Sequence, residues 1–167
     1  MNKLIIPRSL SATARAHLFS DYGEHFLFFL CTISEESENL TFHAKDVVLI
    51  NDNDLVVSED FEIEISLSVL IEVMNRANKE GLALVEGHNH LSSFWRGFSY
   101  TDRKGFSEFV PYVLSTLGRP YGATVWDKRG VAAICWKTDP AKPTKMEVKI
   151  AADQALSVKR GGERQRI

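Results

Sequence analysis

The chain has 167 residues, 44% of them hydrophobic and 25% charged, with a formal net charge of -2. That is enough for one domain with a sizeable core. It is too balanced in charge for the clustered Lys and Arg that nucleic-acid binding requires, and no run approaches the roughly 20 apolar residues that span a bilayer.

Taken in order, Met1 to Pro7 is broken by Pro7 too early for a secretion signal. Ser9 to Phe19 carries Leu10, Ala14 and Leu18 at helical spacing. Glu24 to Ile33 is apolar on both faces, the pattern of a central strand. Leu40 to Ile50 reads as a second strand, and Leu55 to Ile65 as a third, where Phe61-Glu62-Ile63-Glu64-Ile65 alternates with period two. Ser66 or Ser68 opens a helix that runs to Lys79, with Leu67, Leu70, Ile71 and Met74 as its apolar stripe and Gly81 as its stop.

Leu82 to His90 predicts another strand, Leu91 to Tyr100 a loop, and Asp102 to Leu117 a helix loosened at Pro111. Gly122 to Trp126 and Val131 to Trp136 form a hairpin, and Lys142 to Ala151 a last edge strand. Residues 1–152 make one domain, and 153–167 read as a flexible polar tail. Helices interspersed among strands predict an α/β (α+β) sheet with helices on its faces. Cys31 and Cys135 both lie in apolar runs and read as buried small hydrophobes of a reduced, cytoplasmic compartment.

The chemistry concentrates in Glu86-Gly87-His88-Asn89-His90 and Ser99-Tyr100-Thr101-Asp102. Residues i and i+2 of a strand share a face, so both imidazoles can reach one ion. Asp102 can supply a third, anionic ligand. Two His, one carboxylate and an open position are a recurring catalytic zinc set. Singly, each residue has a plainer role: polar groups at a strand end for the histidines, an N-cap for Ser99 and a first-turn acid for Asp102. The tripeptide His-Asn-His is no nuclease signature here, because that site needs the three residues apart in sequence.

The pattern H-x-H-x8-S-x2-D resembles the signature of the JAMM (MPN, Mov34/JAB) zinc metalloproteases, and the resemblance covers roughly Ser9 to Trp136. The family usually has seven residues before the Ser and Pro after the second His, where this chain has eight and Leu91. The resemblance implies a three-layer MPN/JAB1 cytidine-deaminase-like sheet and one zinc ion per chain on His88, His90 and Asp102. It implies Glu24 as general base and Ser99 as donor to the oxyanion. Glu86 is the rival base, or a carboxylate that orients a ligand from behind. Trp95, Arg96 and Phe98 in the loop would suit gripping an extended peptide.

The implied activity is that of a prokaryotic deubiquitinase-like isopeptidase or peptidase, cleaving after the C-terminal Gly of a ubiquitin-like protein. Its partners would be that protein or its conjugates and the E1- and E2-like enzymes of the same operon, including antiphage defence operons, with no nucleic acid and no membrane. A non-catalytic MPN scaffold, or a zinc hydrolase acting on a small or carrier-linked substrate, are the competing readings. His25 reads as a neighbour of the base, and His17 and His43 as surface residues.

Overall fold

The computed structural model describes residues 1–57, 62–91 and 97–153. Along the chain run β1 (Asn2–Pro7), α1 (Arg8–Leu18), β2 (Phe26–Glu36), β3 (Asn39–Leu49), a 3-10 turn (Asp52–Asp54), β4 (Leu55–Val57), β5 (Ile63–Ile65), α2 (Leu67–Glu80), β6 (Ala83–Asn89), α3 (Tyr100–Leu117), β7 (Tyr121–Trp126), β8 (Val131–Trp136) and β9 (Thr144–Ala151).

Seven strands close into a mixed barrel in the order β1-β3-β2-β6-β7-β8-β9. The expected three-layer sheet is therefore corrected to a closed barrel with three helices. Two strands make the difference. The N-terminal stretch, to which the sequence pattern assigned no element, is β1. It pairs parallel with β3 on one side and with β9 on the other, from Asn2 opposite Met146 to Pro7 opposite Ala151. The supposed edge strand β9 thus has two neighbours, β1 and β8. The long third strand is also corrected: β4 and β5 form a separate two-stranded antiparallel sheet, Leu55 opposite Ile65.

Strand alternation sorts the core into two shells. Leu4, Leu27, Phe42, Val85, Trp126, Ala133 and Met146, from all seven barrel strands, meet with Ala14 and Leu18 of α1 in one cluster. Only the inside of a closed barrel lets every strand share a cluster. The other face carries Phe28, Leu30, Leu84, Tyr121 and Trp136 against Val73, Met74 and Ala77 of α2 and Phe106, Val110 and Val113 of α3. Each such side chain, fully buried, contributes about 1.5–3 kcal/mol. Cys31 and Cys135 are buried and free, one inner residue on each of two strands.

Helix ends follow local chemistry. α2 and α3 both stop at a glycine in the left-handed region, Gly81 and Gly118. α3 passes through Pro111 without a break. α1 lacks a local side-chain cap. Its second residue, Ser9, instead gives its backbone N–H and its hydroxyl to Asp153 Oδ1 at 3.0 and 2.8 Å. Asp153, assigned above to the tail, is therefore part of the fold; residues 154–167 lie outside the described residues. Among the described residues, no helix is long and apolar enough to cross a membrane.

Candidate metal centre

β6 runs between β2, which pairs antiparallel with it, and β7, which pairs parallel. Its even residues follow Leu84 onto the outer face, so Glu86 and His88 emerge beneath α3, and His90 follows at the strand end. Gly87, on the inner face, leaves no room for a side chain: a Cβ there would lie 2.7 Å from Leu27 Cδ1 and 3.0 Å from Thr124 Oγ1. β6 is thus pressed against its neighbours just before His88.

Three groups converge. His88 Nε2 and His90 Nε2 are 3.2 Å apart. Asp102 Oδ1 lies 3.1 Å from the first and its Oδ2 3.2 Å from the second. A tetrahedral ion with ligands at about 2.0–2.1 Å has ligand–ligand edges of about 3.3 Å; the three spacings are close to that edge, although the two to Asp102 are made by different carboxylate oxygens. Two facing imidazole nitrogens beside a carboxylate call for positive charge between them, which either a proton on His88 or a cation would supply. His88 is almost wholly buried, and burial alone would push its pKa down. The carboxylates of Asp102 and Glu86 outweigh that and hold it at about 10. Burial likewise raises Asp102, yet His88 and the Ser99 backbone bring it to about 2.

Asp102 reaches this point through its helix. Ser99 is the N-cap of α3, and the two residues form a reciprocal capping box. The Ser99 N–H donates to Asp102 Oδ2 at 2.7 Å, and Asp102 N–H donates to Ser99 Oγ at 3.1 Å. Ser99 Oγ is an acceptor in that bond, so its own proton is left to donate elsewhere. The cap and first-turn acid roles are thus real, and they coexist with the approach of Asp102 to both imidazoles.

Glu24 stands two residues before β2. Phe26 is opposite His88, so extending the register brings Glu24 across from His90. Its carboxylate and the two imidazoles each offer an atom within 4.8 Å of the others, so Glu24, His88 and His90 are themselves a set that could hold a metal ion. Burial raises its pKa, and Asp102 adds to the rise against the opposing pull of His88 and His90. Glu86 is elsewhere. Its Oε1 is 3.7 Å from His88 Nδ1, on the ring edge away from Asp102, and its Oε2 accepts from Tyr121 Oη at 2.9 Å. That position suits orienting His88 and is poor for reaching the water side.

A groove of about 700 Å³ opens from Glu24, His88, Ser99 and Asp102. One wall is Ile63 and Ile65 of β5 with Leu70 of α2; the other is the Gly105, Glu108, Phe109 and Tyr112 face of α3. Glu62, Glu64 and Glu108 add acid to the lining. Phe98 turns into the outer core, edge-on to Phe106 with ring centroids 5.4 Å apart. Trp95 and Arg96 lie outside the described residues.

Three features escaped the sequence pattern. His17 is no plain surface residue: its Nε2 is 3.0 Å from Phe26 C=O, so that nitrogen carries the proton. His25 is buried, with Nε2 2.7 Å from Asp21 Oδ1 and Nδ1 3.3 Å from Asp52 Oδ1. The His25 hydrogen bond, with a second from Gly23 N–H, lowers the Asp21 pKa. Asn89, between His88 and His90, bonds to the chain on both sides of Glu24. A polar residue at an inward strand position, where an apolar one is expected, was the available signal.

No protein-family model and no curated protein matches the chain. Among solved structures it is similar to the solution structure of protein DSY2949 from Desulfitobacterium hafniense, with 11% identity and a TM-score of 0.54 over 90% of this chain and 94% of that one. At such identity the likeness concerns the fold alone.

Proposed function

We propose that the chain is a zinc-dependent peptidase of the JAMM type, cytoplasmic, that cleaves after the C-terminal Gly of a ubiquitin-like protein or its conjugates. The observation that carries this reading is the convergence of His88, His90 and Asp102 within 3.2 Å of one another, with the Glu24 carboxylate alongside and a groove leading in. His88, His90 and Asp102 would hold the ion. Zinc there would polarise a carbonyl and lower the pKa of a water to about 7.

The remaining roles belong to side chains. Glu24, its pKa raised by burial, takes the proton of the attacking water and later returns it to the leaving amine nitrogen. Ser99 Oγ donates its free proton to the developing oxyanion. The apolar walls of Ile63, Ile65 and Phe109 favour an extended chain over a bulky fold, and the acids of the lining favour basic side chains on it. The substrate would arise from E1- and E2-like conjugation chemistry, antiphage defence being one such setting.

The test is zinc analysis combined with cleavage of a ubiquitin-like fusion. The zinc-replete protein should hold close to one ion and cut immediately after the terminal Gly. Glu24→Gln should keep the ion and lose about 100-fold or more in kcat. No zinc after metal-replete expression overturns the reading. Efficient digestion of casein-like unstructured protein overturns the ubiquitin-like assignment and leaves the zinc chemistry standing. Loss of turnover in Glu86→Gln with Glu24→Gln unaffected reassigns the base.

A further inference from the structure

Asn89 sits between the two histidines, and strand alternation turns its side chain away from them. It is fully buried. Its Oδ1 accepts the His25 N–H at 2.7 Å, and its Nδ2 donates to the Gly23 C=O at 3.1 Å. A backbone N–H only donates and a C=O only accepts, so the orientation of the carboxamide is fixed. The two bonds straddle Glu24. Strand pairing does not reach that residue, because the ladder of β2 with β6 begins at Phe26 opposite His88. One side chain thus supplies the rung that the backbone leaves out, and it ties the segment bearing Glu24 to the strand bearing His88 and His90.

We infer that Asn89 is a positioning residue: by clamping the peptide groups on both sides of Glu24, it fixes that carboxylate relative to the metal-binding imidazoles. The role of Glu24 as base rests on the peptidase reading above; the clamp itself rests on the two bonds. Asn89 spends both of its polar ends on the loop before β2, and removing it leaves two peptide groups there unpaired.

The full-length zinc-loaded protein is compared with Asn89→Ala and Asn89→Asp by steady-state cleavage of a ubiquitin-like fusion, zinc affinity in chelator competition, and amide exchange at His25. In Asn89→Ala, kcat should fall about 100-fold at unchanged KM, the size of effect expected when a reacting group is displaced by about 1 Å. Zinc affinity should stay within roughly threefold, since the ligands are untouched. The His25 amide should exchange roughly tenfold faster, the equivalent of one hydrogen bond. Asn89→Asp has the same size, keeps the bond from His25 and turns the Gly23 contact repulsive. It should lose kcat by roughly tenfold, and it carries the test if Asn89→Ala does not fold.

Either of two results overturns the inference: kcat near wild type in the folded variants, or zinc affinity falling together with kcat, which would make Asn89 a support of the ligand strand. If the wild type binds zinc and cuts nothing, the peptidase reading falls by itself. His25 exchange then decides: faster exchange in Asn89→Ala at intact zinc affinity upholds the clamp, and unchanged exchange removes it.

Discussion

The Tyr121 hydroxyl of β7 donates to Glu86 Oε2 of β6 at 2.9 Å, and it is the hydrogen bond that steadies the carboxylate behind His88. Tyr121 is wholly buried, and burial together with the Glu86 charge lifts its pKa far above the usual phenol range. Tyr121→Phe leaves the ring in place and strips Glu86 of its donor. A hydrogen bond to a charged group contributes about 1.5–3 kcal/mol, so urea denaturation should report a loss of that size. Zinc affinity should weaken about 10-fold or more, as when partners behind a ligand are removed. Unchanged affinity would mean that Glu86 does not orient His88.

Ser99 is the N-cap of α3 and, on the proposed mechanism, also the oxyanion donor, and a glycine separates the two roles. Glycine at an N-cap costs only a few tenths of a kcal/mol relative to serine, and the Ser99 backbone N–H that binds Asp102 is retained. Ser99→Gly should therefore melt close to wild type and keep its zinc. Its kcat should drop about 100- to 1,000-fold if the hydroxyl serves the oxyanion. Wild-type turnover in this variant would reduce Ser99 to a cap.

The acids of the groove predict a substrate preference. Glu108 lies six residues along α3 from Asp102, about 9 Å at 1.5 Å per residue. An extended peptide covers that in about three residues, so a basic side chain roughly three positions before the scissile bond should meet Glu108, which lines the same groove. Glu108→Lys should raise KM for such a substrate about tenfold with zinc content unchanged. Reversing the substrate charge should restore it; equal KM values for both substrates in both proteins would remove the assignment.

Asp153 supplies the pH dependence of α1. The Ser9 backbone N–H, then the Ser9 hydroxyl, lower its pKa below the ordinary 3.8. A depressed carboxylate stabilises the fold above its unfolded-state value, and that contribution is lost as pH falls through the folded one. Asp153→Asn should thus be less stable than wild type at pH 7, and the gap should close as pH falls below about 4. A gap that persists at pH 2 would point to packing as its source.

The gathering of His88, His90 and Asp102 was legible because its spacing is local. Period two puts His88 and His90 on one face whatever lies around them. Ser99 and Asp102 are a capping pair that reads directly from four residues. Barrel closure was not legible. It rests on Lys3 finding Glu147 and Thr41, pairings between short runs far apart in sequence, and nothing in a six-residue strand specifies its partners. Leu55–Ile65 misled for a related reason. The alternation at Ile63-Glu64-Ile65 is genuine, but β4 and β5 pair with each other and not with the main sheet. The role of Asn89 was not legible because its partners, the backbone at His25 and Gly23, lie 64 and 66 residues away in sequence.

The seam between β1 and β9 has a consequence for synthesis. β1 leaves the ribosome among the first segments, and Met146, opposite Asn2, is about 140 residues behind it. At roughly 5–20 residues per second, that interval is on the order of 7–30 s. Through it, the open side of β1 presents unpaired backbone groups, the kind of edge that recruits foreign strands. The last barrel strand to be made is the one that covers it, so a ribosome stalled before residue 144 would hold a nascent sheet with two raw margins, at β1 and β8.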